Sequence, residues 1–312
     1  MQNLKLRDGI QRFIMTLPQP VSVKAYGSSV AFQSGYTECE KRQVDLIVIV
    51  DDIKRFYQDN LVKNAGMYKL VPKLFFNYAP SSVLRSAAHI CYTSHIKSDD
   101  DIYKMGVIEK CDLLDDLLNW NTFYMAGRFQ KEMFTALSDK EIESANEINK
   151  KNALTVALLL LDKDNPTIDD LYEKICSLSY MGDSRKIVGA EDPNKVKKIA
   201  SGSRDFFDRE YTQKTDLYTV LEDGRLEVDN AKLYGAIFSL PKELGEKVIE
   251  VIDESKSFED NLAVIRDVIS EHLTSLTNEF SIGQTVKGIF TNGPINSCSY
   301  VLEKLKKGRK KI

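Results

Sequence analysis

The segment Val44-Asp45-Leu46-Ile47-Val48-Ile49-Val50 constrains the fold more than any other part of the chain. Its nearly unbroken β-branched and leucine content predicts a strand buried on both faces, which requires a sheet with helices packed above and below it. Asp45 is the exception inside that run, and a carboxylate in an apolar strand is costly unless a metal or a cation meets it. A preceding strand is expected over residues 21–26, after an opening helix and the Pro18/Pro20 breaker. It runs into Gly27-Ser28-Ser29, a turn able to bring backbone N–H groups close to an anion. Beyond Asp51-Asp52 the pattern predicts a helix over 53–65, strands over 89–93 and 103–108, and a helix over 113–126.

From about residue 138 the pattern changes to longer helices, at 141–161, 167–179 with Thr167 and Asp170 as start signals, and 193–211. Strand residues 218–221 and 225–228 around Asp223-Gly224 read as a hairpin, which beside helices suits the wing of a small helical domain. Helices at 242–253 and 258–276 lead to a glycine-punctuated stretch, 283–293, and a basic tail. The chain is thus expected to be α/β, with 312 residues sufficing for two moderate domains. A net charge of -3 gives no global attraction to polyanions and weighs against a nucleic-acid binder. Cys39, Cys91, Cys111, Cys176 and Cys298 are odd in number and widely spaced, as free thiols would be, and His89, His95 and His272 are too scattered for a metal cluster. The N-terminal segment reads as a helix rather than an export signal. The longest apolar run, 153–161, falls short of the roughly 20 residues that span a bilayer, so any contact with lipid is expected from the surface.

The chemistry is concentrated where Gly27-Ser28 ends one strand and Asp45 lies on the next. A small-residue loop can wrap nucleotide phosphates while a carboxylate on the adjacent strand holds Mg²⁺ against them, the logic of polymerase-β-type nucleotidyltransferases. Ile47 stands where such enzymes usually carry a second carboxylate. Further segments make the pattern specific: Tyr26-Gly27-Ser28-Ser29-Val30 with Gln33 and Gly35-Tyr36, YKMGVI at 103–108, DLLNWNTFYMAGR at 116–128, SYMGDSRKIVG at 179–189 and TVKGIFTNG at 285–293. In this order they resemble the mitochondrial-type CDP-diacylglycerol synthases of the translocator assembly and maintenance family, with Ser29 where that family commonly has a second glycine.

The resemblance implies a polymerase-β-like nucleotidyltransferase core over 1–137, a mainly helical, winged-helix-like domain over 138–282 and a C-terminal segment over 283–312, with the active site between the two domains. It implies transfer of CMP from CTP to phosphatidate, with Mg²⁺, at an anionic membrane surface and without nucleic acid. Asp45, Asp116 and Lys104 are the expected catalytic residues, Asp45 and Asp116 the metal ligands, and Tyr26, Gly27, Ser28, Ser29 and Arg128 the nucleotide site. Asp183 and Arg185 would close the site, and Lys287 would hold the lipid phosphate. The residues themselves also admit plainer roles. Asp116 suits a helix N-terminal charge, Lys104 a solvated face, Arg128 an ion pair, and Trp120 and Tyr124 core packing rather than base stacking. In the tail, Val301, Leu302 and Leu305 among Lys304, Lys306, Lys307, Arg309, Lys310 and Lys311 would lay an apolar stripe on a membrane with cations facing headgroups. That surface is the cytoplasmic face in a bacterial relative, or the matrix face of the mitochondrial inner membrane in a trimmed mitochondrial one. The rival readings are a nucleotidyltransferase with another acceptor and a non-catalytic membrane scaffold, although a scaffold would be expected to lose Asp45.

Overall fold

The computed structural model describes residues 2–30, 43–182 and 194–292. Its centre is a five-stranded mixed sheet built from β1 (Ser22–Tyr26), β2 (Val44–Val50), β3 (Ile90–Ser98), β4 (Asp101–Glu109) and β5 (Phe134–Leu137), in the order β3-β4-β2-β1-β5. β2 is parallel to β4 and antiparallel to β1, while β3 and β5 form the edges. β2 is covered on both sides, as its composition requires. Leu46, Val48 and Val50 pack with Ile10 and Phe13 of α1 (Gln2–Thr16), Phe56 and Tyr57 of α2 (Ile53–Lys63) and Phe76 of α3 (Leu70–Tyr78). Ile47 and Ile49 face the other way, against Leu113 and Leu117 of α5 (Lys110–Asn119) and Ile142 of α7 (Lys140–Leu159). The short helices α4 (Ser81–Leu84) and α6 (Ala126–Phe129) complete this half.

Chain-local signals explain several boundaries. The Asp52 side chain accepts the Arg55 N–H and so starts α2 as the sequence leaves β2. Thr167 and Asp170 form a reciprocal capping box at the head of α8 (Ile168–Leu178). After α9 (Lys195–Gly202), α10 (Arg204–Phe207) and a π-helical turn at Asp208–Thr212 comes the expected hairpin, β6 (Tyr218–Val220) and β7 (Leu226–Val228), with Gly224 at φ +81° in the turn. Helices α11 (Asn230–Ile237), α12 (Lys242–Glu250) and α13 (Phe258–Asn292) follow.

Three expectations need correction. The helix foreseen over 113–126 ends at Asn119, because Trp120 takes a left-handed conformation, φ 55°, and the following loop folds back over α5. The helix foreseen over 193–211 breaks at Ser203, whose hydroxyl donates to Glu132 at 2.6 Å. The glycine-rich stretch 283–293 does not end the preceding helix: α13 runs through Gly283 and Gly288 to Asn292, 35 residues in all, so the expected boundary at 282/283 falls inside it. The first of these glycines serves close packing, since a Cβ on Gly283 would lie 3.1 Å from the Ala87 Cβ. The final turns of α13 lie along edge strand β3. Gln284 Nε2 donates to the Ile90 carbonyl at 3.0 Å, and the Ser94 N–H donates to Asn292 Oδ1 at 2.8 Å.

Candidate active site

The sheet register puts Tyr26, Asp45 and Lys104 side by side on β1, β2 and β4. Alternation along a strand then sends Asp45 to the same face as Ile47 and Ile49. The Lys104 ammonium lies 3.8 Å from Asp45 Oδ1 and 4.4 Å from the centroid of the Tyr92 ring. Asp45 is therefore met by a cation, as its position in an apolar strand demands, yet its side chain stays 30% exposed and accessible from solvent. Gly27 turns above it at φ +82°, where a Cβ would stand 3.3 Å from Asp45 Oδ2. The Val30 N–H donates to the Gly27 carbonyl at 3.1 Å and closes the turn over Ser28 and Ser29. The Ser29 hydroxyl is buried there with no hydrogen-bond partner among the described residues.

Arg128, from the short helix after the Trp120 loop, reaches the same neighbourhood. Its guanidinium carbon sits 3.8 Å from the Tyr124 ring centroid and a guanidinium nitrogen donates to the Tyr124 carbonyl. Burial works against its charge, but the surrounding oxygens of Tyr124, Tyr92, Tyr26 and Tyr180 more than compensate and raise its pKa. Burial also holds the Tyr26 hydroxyl well above the usual tyrosine range, reinforced by Tyr92 and Asp45, and lifts Tyr92 to about 12. The Tyr92 oxygen has no hydrogen-bond partner among the described residues.

Nothing in the sequence singles out Lys131, which there looks like any surface lysine. Its ammonium donates to the Gly127 carbonyl at 2.8 Å and to the Ser179 hydroxyl, and it lies 5.0 Å from the Tyr180 ring centroid, with Lys195 at 5.2 Å from the same ring. Burial pushes its pKa down to about 7; Cys176 opposes that shift, and the like charges of Arg128 and Lys195 add to it. Among the described residues, no carboxylate lies within ion-pair distance of Arg128 or Lys131. A crevice beside them is lined by Thr122, Tyr124, Arg128, Ser179, Thr277 and Ser281, and the Thr277 hydroxyl lacks a hydrogen-bond partner among the described residues. Gly127 makes the junction possible: a Cβ there would fall 2.5 Å from the Ser179 Cβ, so only glycine lets α6 approach the end of α8. Residues from both halves of the chain thus meet at the crevice.

Two expected site residues are engaged elsewhere. Asp116 is buried near the end of α5, not in its first turn, and both its oxygens are occupied. Oδ1 accepts from the Thr122 N–H, the Thr122 hydroxyl and the Phe123 N–H, and Oδ2 accepts from the Met125 and Ala126 N–H groups, all at 2.7–2.9 Å. It is the organiser of the 120–126 loop, which replaces both its expected roles, metal ligand and helix N-terminal charge. Lys287 is spent on main chain: buried under α4, it donates to the Leu84 and Ser86 carbonyls and fixes α13 to the approach of β3, which corrects its assignment to a lipid phosphate. Trp120 is core, as expected, with its indole N–H donating to Asn149 Oδ1 at 2.9 Å. Asp183 and Arg185, the Gln33 and Gly35-Tyr36 positions, and the tail residues Val301, Leu302, Lys304, Leu305, Lys306, Lys307, Arg309, Lys310 and Lys311 lie outside the described residues.

Among the described residues, the one grouping of three metal-capable side chains is Glu109, Cys111 and Asp112, away from Asp45 in sequence. Arg85 already fills it, with ion pairs of 2.6 Å to Asp112 and 3.3 Å to Glu109.

Comparison with known proteins bears on this geometry. A family profile described as "Phosphatidate cytidylyltransferase, mitochondrial" matches residues 10–307. The chain is similar to proteins of that name from Schizosaccharomyces pombe, at 30% identity over 97% of this chain and 84% of the yeast protein, and from Mus musculus, at 29% over 96% and 94%. The Caenorhabditis elegans protein of the same name is 29% identical over 91% of this chain and 92% of its own length.

Proposed function

The chain belongs to the mitochondrial phosphatidate cytidylyltransferase family, and from that premise we propose how its own residues carry the reaction. The enzyme transfers the cytidylyl group of CTP to phosphatidate, forming CDP-diacylglycerol and releasing pyrophosphate. An anionic phosphate oxygen of phosphatidate attacks the α-phosphorus of CTP, and the bond from that phosphorus to the β-phosphate oxygen breaks. Since the attacking oxygen is already ionised, the site must chiefly align two polyanions and offset their repulsion.

The observation that carries this reading is the Asp45–Lys104 pair beneath the Gly27 turn. Such an arrangement suits a polymerase-β-like core over 1–137, followed by a winged-helix-like part that runs on through α13 and by a membrane-associating tail after it. The Gly27–Ser29 turn offers backbone N–H groups and the Ser29 hydroxyl to the triphosphate, while Lys104 and Arg128 neutralise its charge. Asp45 is the residue that would hold Mg²⁺. One accessible carboxylate fits this ion, which keeps several waters and takes the rest of its oxygens from substrate phosphates. When bound there it supplies charge neutralisation at the phosphates. Tyr26 and Tyr92 wall the site, and their raised pKa values keep both phenols neutral donors near physiological pH.

Lys131 joins Arg128 as a second seat for the triphosphate. Two half-buried cations without carboxylate partners among the described residues favour an anion between them, since ligand charge then replaces the lost solvation. Lys131→Met should raise the KM for CTP by about tenfold or more, the scale of one charged hydrogen bond. The pH dependence has a definite sign. Free Lys131 loses its proton near 7, and bound triphosphate favours the protonated form, so binding takes up a proton and CTP affinity falls as pH rises from about 7 to 9. Titration calorimetry of CTP across that range checks this; a Kd that ignores both pH and the substitution removes Lys131 from the site.

The function as a whole is tested by incubating purified protein with CTP, Mg²⁺ and phosphatidate vesicles and following labelled cytidine into the lipid fraction. Equal turnover of ATP and GTP, or cytidine appearing on another acceptor, would favour the different-acceptor reading. The work takes place at an anionic membrane surface, for a mitochondrial member the matrix face of the inner membrane.

A further inference from the structure

We propose that α3 and the last turns of α13 together form an apolar face that docks on an anionic lipid bilayer, in addition to any contact made by the basic tail. The partner follows from the lipid substrate proposed above; the face itself is read from the structure. On α3, Leu70, Leu74 and Tyr78 are 71%, 51% and 75% exposed, and they fall on one side of the helix by their spacing. On α13, Val286, Ile289 and Phe290 are 54%, 44% and 51% exposed along one stripe, opposite the buried Gln284, Lys287 and Thr291. The Phe75 and Phe290 rings stack at 5.9 Å and join the two helices into one surface. Exposed apolar area of this extent on a folded chain marks an interaction site.

Charge identifies what the surface meets. Although the chain carries a net charge of -3, residues 60–98 contain no aspartate or glutamate, and neither do residues 280–302. Lys63 at the end of α2 and Lys69 and Lys73 at and within α3 give the segment that carries the apolar stripe cations and no acids, the composition of a helix lying in an anionic headgroup layer. Thr277 and Ser281 of α13 line the crevice beside Arg128, so the helix that carries the exposed stripe also reaches the reaction site from its opposite side.

The test uses the full-length chain and no nucleotide, so it stands or falls separately from the transfer reaction. Leu74→Trp places a reporter on the face, while the native Trp120 is 1% exposed and stays a constant background. Vesicles of brominated phosphatidylcholine with phosphatidylglycerol should quench the new fluorescence and shift it to the blue. The double variant Leu74→Glu/Val286→Glu should bind such vesicles at least about tenfold more weakly in co-sedimentation, because each change replaces apolar area that would leave water with a charge. Circular dichroism verifies its fold. If the added indole of the Leu74→Trp protein emits in the blue without vesicles and stays unquenched by them, the proposal is overturned, because the face is then covered by the chain itself or by a second copy. Unchanged sedimentation of the double variant would overturn it as well.

Discussion

Asp45→Asn should lower CDP-diacylglycerol formation by at least about a hundredfold to a thousandfold, the range seen when one charge-placing group is removed from an active site. The substitution keeps the side chain's volume and its place in β2 between Tyr26 and Lys104, but removes the charge that would hold a divalent cation. It also leaves Lys104 facing a neutral amide at the position now 3.8 Å away, so the triphosphate meets a differently poised lysine. The fold should survive, because the side chain is 30% exposed and Lys104 keeps its contact with the Tyr92 ring. Turnover and thermal unfolding of the purified variant check both halves of the statement. Near-normal turnover in a stable Asp45→Asn protein would remove Asp45 from the chemistry.

Asp116→Asn should act in the opposite way, through stability. Five hydrogen bonds converge on this buried carboxylate, four of them from backbone N–H groups. An asparagine supplies only one acceptor oxygen, so its NH₂ would confront either the Thr122–Phe123 pair or the Met125–Ala126 pair of N–H groups. Leaving such donors buried and unpaired costs about 3–5 kcal/mol, which corresponds to an unfolding midpoint lowered by roughly 10 °C for a chain of this size. The loss spreads to the site, because the loop that Asp116 orders delivers Tyr124 and Arg128. Calorimetric melting decides the matter. A variant that melts like the parent and yet is inactive would restore Asp116 to the list of metal ligands.

The contrast between these two aspartates shows how much the sequence discloses and why it stops. Asp45 was legible because a carboxylate inside a seven-residue apolar strand conflicts with its surroundings, and such conflicts are visible in one dimension. Asp116 sits in a segment whose hydrophobic spacing is helical through residue 126, so nothing local announces that the helix stops at Asn119 and the chain wraps round the carboxylate. Lys287, flanked by Val286 and Gly288, gave no sign that its partners are carbonyls some 200 positions away in the chain. Lys131 was invisible for the same reason: its lowered pKa arises from burial as Ser179, Arg128 and Lys195 gather round it, and proximity of that kind is created only by folding. The sheet, the hairpin and most helices were foreseen from periodicity and caps, whereas β5 was missed, since Phe134–Leu137 has one of its apolar residues, Leu137, on the exposed side of an edge strand.

The seating of α13 along β3 bears on how shortened forms of this chain would behave. An edge strand with free N–H and C=O groups is a template for pairing with strands from other molecules, and proteins commonly blunt such edges to stay dispersed. Here the blunting is done by amide side chains near the C-terminal end of one helix, with Gln284 on the Ile90 carbonyl and Asn292 on the Ser94 N–H. A premature stop ahead of Gln284 would spare Asp45, Lys104 and Arg128, yet uncover this strand together with Phe75 of α3, which stacks on Phe290. Such a product is expected to be lost to aggregation while Asp45, Lys104 and Arg128 are still in place, so the end of α13 would keep the sheet dispersed as well as seated.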